Sequence, residues 1–127
     1  MKIVTYTGKQ QANFYIQSKG TNAGRPLRAP LRNSFAVFTD DEFLFQKVQA
    51  LFIGRYFEPF IHGSVIPTIC LSDVKEVIER TPIRTDGRVL KLLKSLNDIE
   101  RLILLTQDKL KLLKEIKTAT AREVIGK

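Results

Sequence analysis

A chain of 127 residues, 43% hydrophobic and 27% charged, can form one globular domain that buries about two-thirds of its unfolded surface. Its single cysteine excludes an intramolecular disulfide, no run of about 20 apolar residues offers a membrane span, and residues 1–6 lack the apolar stretch of a signal peptide, so the expected compartment is the cytoplasm. The net charge of +8 is unevenly placed: residues 1–39 hold Lys2, Lys9, Lys19, Arg25, Arg28 and Arg32 but no Asp or Glu, while the rest of the chain is close to balance. An acid-free basic stretch that also carries Asn, Gln, Ser and Thr suits phosphate groups, and its plainer reading is solubilising charge.

Residues 2–7 and 13–18 are aromatic and β-branched and are followed by Gly8 and Gly20, which predicts two short strands. Residues 34–38 predict a third. Phe35 and Val37 fall on one face, Ala36 and Phe38 on the other, as in a strand covered on both sides. Between the second and third strands, Gly20, Gly24, Pro26 and Pro30 predict a long surface loop over residues 19–32 with no regular element. Thr39, with Glu42 three residues on, spells a capping box; the helix it opens carries Leu44, Val48, Leu51 and Phe52 on one face and stops near Gly54. Tyr56, Phe57 and Phe60, around Pro59, suit base stacking, or, as is commoner in a small core, wedging the helix onto the sheet. Gly63 and Ser64 predict a turn into a strand over residues 64–71, kept at a sheet edge by Pro67. Ser72 is then placed to cap a short helix through Ile78, with Asp73 at its positive end. Extended chain over residues 80–83 and a turn over 85–87 lead into the last element.

Residues 88–125 contain neither Gly nor Pro and read as one leucine-rich helix. In heptads from Val89, the seam runs through Leu92, Leu96, Ile99, Ile103 and Thr106 to Leu110 and Leu113, apolar except at Thr106. Leu93, Leu102, Leu104, Leu105, Leu112 and Ile116 widen the apolar surface beyond that seam. At ~1.5 Å per residue the helix is on the order of 57 Å long, against a radius of gyration of about 12 Å for the body that precedes it. The body cannot cover such a rod. Either a second molecule covers it or the helix breaks near Thr106-Gln107-Asp108 and folds back. With no Gly or Pro to support a break, a second molecule is the expected cover, with Leu96, Ile99, Ile103, Leu110 and Leu113 buried in a two-fold homodimer. The expected fold class is α+β: a small mixed β-sheet domain with one or two short helices over residues 1–86, then a long coiled-coil-like helix over 87–127.

No motif in the chain carries recognisable catalysis. His62 is the sole histidine and has only the distant Cys70 as a soft companion, so a zinc set is not expected. No serine sits in a G-x-S-x-G elbow, and Ser64 has no His-Asp pair. Gly20 and Gly24-Arg25 fall one residue short of P-loop spacing and lack its lysine and Ser/Thr. Asp73-Val74-Lys75 is a fragment of a nuclease carboxylate-x-lysine motif without the converging carboxylates that two-metal chemistry needs. The expectation is a non-catalytic protein with no cofactor and no metal.

Phe57 and Phe60, then Gly63-Ser64-Val65-Ile66-Pro67-Thr68-Ile69, Leu71-Ser72-Asp73-Val74-Lys75, Thr81-Pro82-Ile83 and the leucine-rich helix follow one another in a distinctive order. That order resembles the end of a target-recognition domain and its spacer helix in the DNA-specificity (S) subunits of type I restriction-modification enzymes. An S subunit has two recognition domains and two spacers where this chain has one of each, and the Pro-Leu-x-Glu-Gln lead-in to the spacer is replaced by residues 83–88. The resemblance implies a half-length DNA-binding module whose ligand is duplex DNA. It also implies a homodimer that restores the paired antiparallel helices, a two-part DNA site, and a methyltransferase or restriction subunit as a further partner. On charge, Lys19, Arg25, Arg28 and Arg32 are the expected phosphate contacts, with Thr21 and Asn22 reaching further. The alternative reading is a protein-interaction or assembly module that works through the long helix. Residues 14–27 resemble instead a family of small proteins of gut Bacteroidetes, often near mobile elements, which implies no activity.

Overall fold

The computed structural model describes residues 1–82 and 86–126; the extended chain expected at Ile83 and the turn position at Thr85 lie outside them, as do Arg84 and Lys127. Four strands, β1 (Lys2–Thr5), β2 (Phe14–Gln17), β3 (Pro26–Leu27) and β4 (Ser34–Phe38), form one sheet in the order β1-β4-β2-β3. Every pairing is antiparallel, which corrects the mixed sheet expected from sequence. The cause is the order of elements. Parallel neighbours need a crossover, usually a helix, and here every helix follows the last strand.

β4 is the central strand, and its alternation sorts the core. Ile3 and Phe14 both lie opposite Val37, and Ile16 lies opposite Phe35, so these five side chains share one face. They merge with Leu44, Val48 and Leu51 of α1 (Leu44–Ile53) and Val74 and Val77 of α2 (Leu71–Arg80) in one hydrophobic cluster. Burying each such side chain contributes about 1.5–3 kcal/mol. Ala36 is fully buried on the opposite face, as the sequence predicts. There Tyr15 accepts a hydrogen bond from the Ala12 N–H at 3.1 Å and donates one to the Gln10 carbonyl at 3.2 Å, which holds the β1–β2 connection in place.

α1 begins at Leu44, several residues later than a Thr39 capping box requires, and its N-terminus carries no such box. Two overlapping side-chain turns replace it. Thr39 Oγ1 accepts from the Asp41 N–H (3.0 Å) and Asp41 Oδ1 from the Phe43 N–H (2.9 Å), while Lys47 Nζ reaches Asp41 Oδ2 at 2.9 Å. The Thr39 N–H, which Glu42 would accept in a capping box, is donated instead to Asn13 Oδ1 at 3.0 Å. The helix stops at Gly54, and the chain turns through Arg55 at φ +63°. Tyr56 N–H then bonds to the Leu51 carbonyl and Arg55 N–H to that of Phe52, a Schellman closure with arginine in the left-handed position. Phe57, at the head of the 3₁₀ turn Glu58–Phe60, is fully buried and Tyr56 is exposed, so of the three aromatics Phe57 is the wedge.

Residues 64–71 form no strand. His62 and Thr68 exchange both backbone hydrogen bonds (2.9 and 2.7 Å) as an isolated bridge, and Thr68 also bridges Lys19. Pro67 offers no amide with which to extend that ladder. The loop inside the bridge is closed by Gly63 at φ +108°, where a Cβ would collide with the Ile66 carbonyl oxygen. α2 starts at Leu71 with Cys70 at its N-cap, so Ser72 lies within the first turn and is not the cap. The helix continues past Ile78 to an Arg80–Glu76 ion pair at 2.7 Å.

α3 runs from Gly87 to Ile125, opened by Asp86 Oδ1, which accepts the Val89 N–H at 3.0 Å. The chain divides into two compact units, Met1–Leu93 and Lys94–Lys127. Leu93 is buried in the first unit, whereas every described residue from 101 to 126 is exposed.

Gly63→Val is expected to lower folding stability by about 1–3 kcal/mol, because valine must adopt a positive φ against a backbone carbonyl. Urea denaturation followed by circular dichroism measures it; an unchanged midpoint would contradict the conformation assigned to the turn.

Candidate nucleic-acid interface

The basic segment is the connection between β2 and β4, and hydrogen bonds fix most of its length. Its base is closed by the Ser18 N–H to the Asn33 carbonyl at 3.0 Å. Within it, Ala23 N–H bonds to the Gly20 carbonyl and Arg25 N–H to that of Asn22, so two overlapping turns leave Thr21 and Asn22 exposed at the bend. The chain then runs back along β2: Gly24 N–H reaches the Gln17 carbonyl at 2.7 Å, Gln17 N–H reaches that of Arg25 at 2.9 Å, and Pro26 and Leu27 pair as β3. This two-residue edge strand corrects the expectation of a loop with no regular element. Proline is tolerated because the position is at the sheet edge, and its ring together with the flanking arginines blocks addition of a further strand.

Two contacts pin this ribbon to the core. Gly24, at φ +94°, lies so close to the Phe57 ring that a Cβ would sit 2.9 Å from it, and Ala23 beside it is buried. Gly20 N–H bonds to the Pro67 carbonyl at 2.8 Å, joining the bend to the Gly63 loop. Ordering is thereby built into folding, so a ligand gripping the ribbon loses little of its binding energy to fixing the chain.

Lys19, Thr21, Asn22, Arg25 and Arg32 are all exposed on this ribbon. Arg28 behaves differently from the free loop charge expected of it. Its guanidinium carbon stacks 3.5 Å from the centroid of Phe45 on α1, and burial lowers its pKa from the ordinary arginine value. Phe45 in turn meets Phe14 edge-on at 5.3 Å. Arg28 therefore ties the ribbon to α1 and the sheet while keeping one face of its guanidinium outward. Sequence reasoning missed Arg55. It shares with Thr21, Phe52, Phe57 and Glu58 the wall of a cleft of about 270 Å³, and so adds beside the ribbon a fifth cation with a carboxylate on the same wall. No sequence signal marks it, because glycine is the residue that announces a left-handed helix end, and here Gly54 precedes that position.

The residues assigned to a helix seam lie on α3. Leu96 is half-buried, while Ile99, Ile103, Leu110 and Leu113 are 54%, 45%, 52% and 54% exposed in the single chain. His62 and Cys70, distant in sequence, are brought together by the His62–Thr68 bridge, with Nε2 3.3 Å from Sγ. Two donors fall short of the three or four that zinc takes, and among the described residues no group of three metal-ligating side chains converges. No helix among them is long and apolar enough to cross a membrane.

Arg28→Ala is expected to cost about 0.5–1 kcal/mol through loss of the Phe45 stack, and Arg28→Lys to recover only part of it, since an ammonium lacks the planar face. Thermal melts of the two variants decide this; an unchanged melting temperature for Arg28→Ala would mean that the stack contributes nothing.

No curated protein and no solved structure matches the chain. One family does, a family of unknown function designated DUF6943, and the match runs over residues 3–123, taking in the sheet, α1, α2 and nearly all of α3. The chain belongs to the DUF6943 family.

Proposed function

We propose that this protein is a non-catalytic module that binds the backbone of duplex DNA through the β2–β4 ribbon. One observation carries the reading: four cations, Lys19, Arg25, Arg28 and Arg32, are mounted on a single pinned connection in a stretch of chain that has no carboxylate before Asp40. Such a ribbon presents positive charge without an internal counter-charge, and counterion release from DNA then drives binding. Thr21 and Asn22, at the exposed bend, are hydrogen-bonding groups suited to phosphate or sugar oxygens, and Arg55 extends the field on the α1 side. The resemblance to S subunits supports the same ligand class and implies a methyltransferase or restriction subunit as a further partner.

A second reading is favoured by a different observation, the run of half-exposed leucines and isoleucines on α3. An apolar surface of that extent is characteristic of a protein-interaction or assembly element. The two readings concern different parts of the chain and differ in salt response. Phosphate binding weakens steeply with ionic strength, whereas association through an apolar helix face does not.

Replacing Lys19, Arg25 and Arg32 together by alanine leaves the Phe45 stack of Arg28 in place, and is therefore the clean test of the ribbon. The triple variant is expected to bind a fluorescein-labelled duplex more weakly by at least about tenfold near 0.1 M salt. The slope of log K against log[salt] should become shallower by about 1 for each phosphate that is no longer neutralised. Anisotropy titrations at several salt concentrations measure both. A triple variant with wild-type affinity and slope would remove the ribbon from the account.

A further inference from the structure

The second unit, Lys94–Lys127, poses a geometric problem that one partner helix does not solve. Its first apolar row is the heptad seam of Leu96, Ile99, Ile103, Leu110 and Leu113. A second row, Leu102, Leu105, Leu112 and Ile116, repeats with the same three-four spacing, interrupted by Lys109. Leu102, Leu105 and Leu112 each stand one residue before a position of the first seam, at 103, 106 and 113. One residue is a turn of about 100° around an α-helix, so the two rows face directions about 100° apart. All four residues of the second row are more than half exposed, from 58% at Leu112 to 63% at Leu102. A two-stranded pairing covers one row and leaves the other in water. In a triangular bundle a helix faces its neighbours about 60° apart, and in a square four-helix bundle about 90° apart. The observed separation fits the square.

Charge identifies the occupant and its direction. From Gly87 to Asp108 α3 carries Arg88, Lys91, Lys94 and Arg101 against Asp98, Glu100 and Asp108, close to balance. From Lys109 onward it carries Lys109, Lys111, Lys114, Lys117 and Arg122 against Glu115 and Glu123, a clear basic excess. Parallel copies would set the basic halves side by side, whereas antiparallel copies set each basic half against a nearly balanced one. Antiparallel registry also lets the first row close on itself, with Leu96 opposite Leu113 of another copy, Ile99 opposite Leu110 and Ile103 opposite Thr106. In the same registry Lys94 falls opposite Glu115, Asp98 opposite Lys111, Glu100 opposite Lys109 and Arg101 opposite Asp108, so the helix is complementary to itself in reverse.

We propose that α3 assembles with three further copies of itself into a four-helix bundle of antiparallel neighbours, the Leu96 row facing one neighbour and the Leu102 row the next. This rests on the reading of α3 as an association element and names its partner.

Sedimentation equilibrium of the full chain at micromolar concentration, with far-ultraviolet circular dichroism as a check on helix content, tests it. The wild type is expected at about four times the mass of the 14.5 kDa chain. Leu105→Gln with Leu112→Gln changes only the second row and keeps good helix formers. This variant should stop at the dimer with its helix signal retained, and Ile103→Gln with Leu110→Gln should break the assembly through the other row. A wild-type dimer, or a tetramer untouched by the second-row change, overturns the four-helix arrangement. A wild-type monomer overturns self-assembly altogether. In that event amide exchange separates the two failures: α3 amides exchanging within seconds would leave α3 free for a different protein, and protected ones would defeat the association reading too.

Discussion

The pairing of β2 with β4 is the constraint from which the rest of the body follows. β4 contributes Phe35 and Val37 to one face and a fully buried Ala36 to the other, so it must sit at the centre of the sheet, and β2 is one of its two neighbours. Because those neighbours are joined by residues 18–33, the whole basic segment begins and ends at the same edge of the structure, closed by the bond from Ser18 to Asn33. Its middle has nowhere to run except back along the free edge of β2, and that is where Pro26 and Leu27 lie. Packing then fixes the details: only glycine allows the ribbon to approach Phe57 at residue 24, and only a flat cation stacks on Phe45 at residue 28. The charges of the N-terminal third are thus displayed by the same contacts that build the core.

α3 obeys a different logic. The core cluster of the first unit draws on β1, β2, β4, α1 and α2, and beyond Leu93 the long helix buries no residue within the chain. Helix formation there is helped by length, by the absence of Gly and Pro, and by Asp86 at its start. Local propensity does not cover leucines, however. The physical cost of leaving two apolar rows in water is what makes association the natural reading of this unit, and the unequal charges along the helix give that association a direction.

Much of the fold is legible in the sequence, and the exceptions have a common cause. The three main strands, the α1 face of Leu44, Val48 and Leu51, the stop at Gly54, the wedge role of Phe57 and the extent of α3 follow from periodicity and from glycine placement, which are local signals. The capping box fails because the Thr39 N–H that Glu42 would accept is taken by Asn13, a partner 26 residues away that a local pattern does not reveal. The strand at 64–71 fails because apolar composition does not tell what Pro67 leaves unpaired. β3, the Arg28 stack, the neighbouring His62 and Cys70 and the strained Arg55 all depend on contacts between segments far apart in sequence, or on a backbone conformation that glycine usually marks. Of the candidate ribbon, the residues and their charge are visible in the sequence; the hydrogen bonds and packing that pin it, and the stacking of Arg28 alone among its arginines, come from the fold.

On our proposal, the β2–β4 ribbon is the surface that meets DNA. A ¹⁵N-labelled sample titrated with a short duplex, followed by amide chemical shifts, addresses it residue by residue. Progressive shifts are expected at Lys19, Thr21, Asn22, Arg25 and Arg32, with Arg55 following and with Phe14 and Val37 in the core unmoved. Shifts confined to the lysines of α3 between Lys109 and Lys117, or none anywhere at low salt, would contradict it.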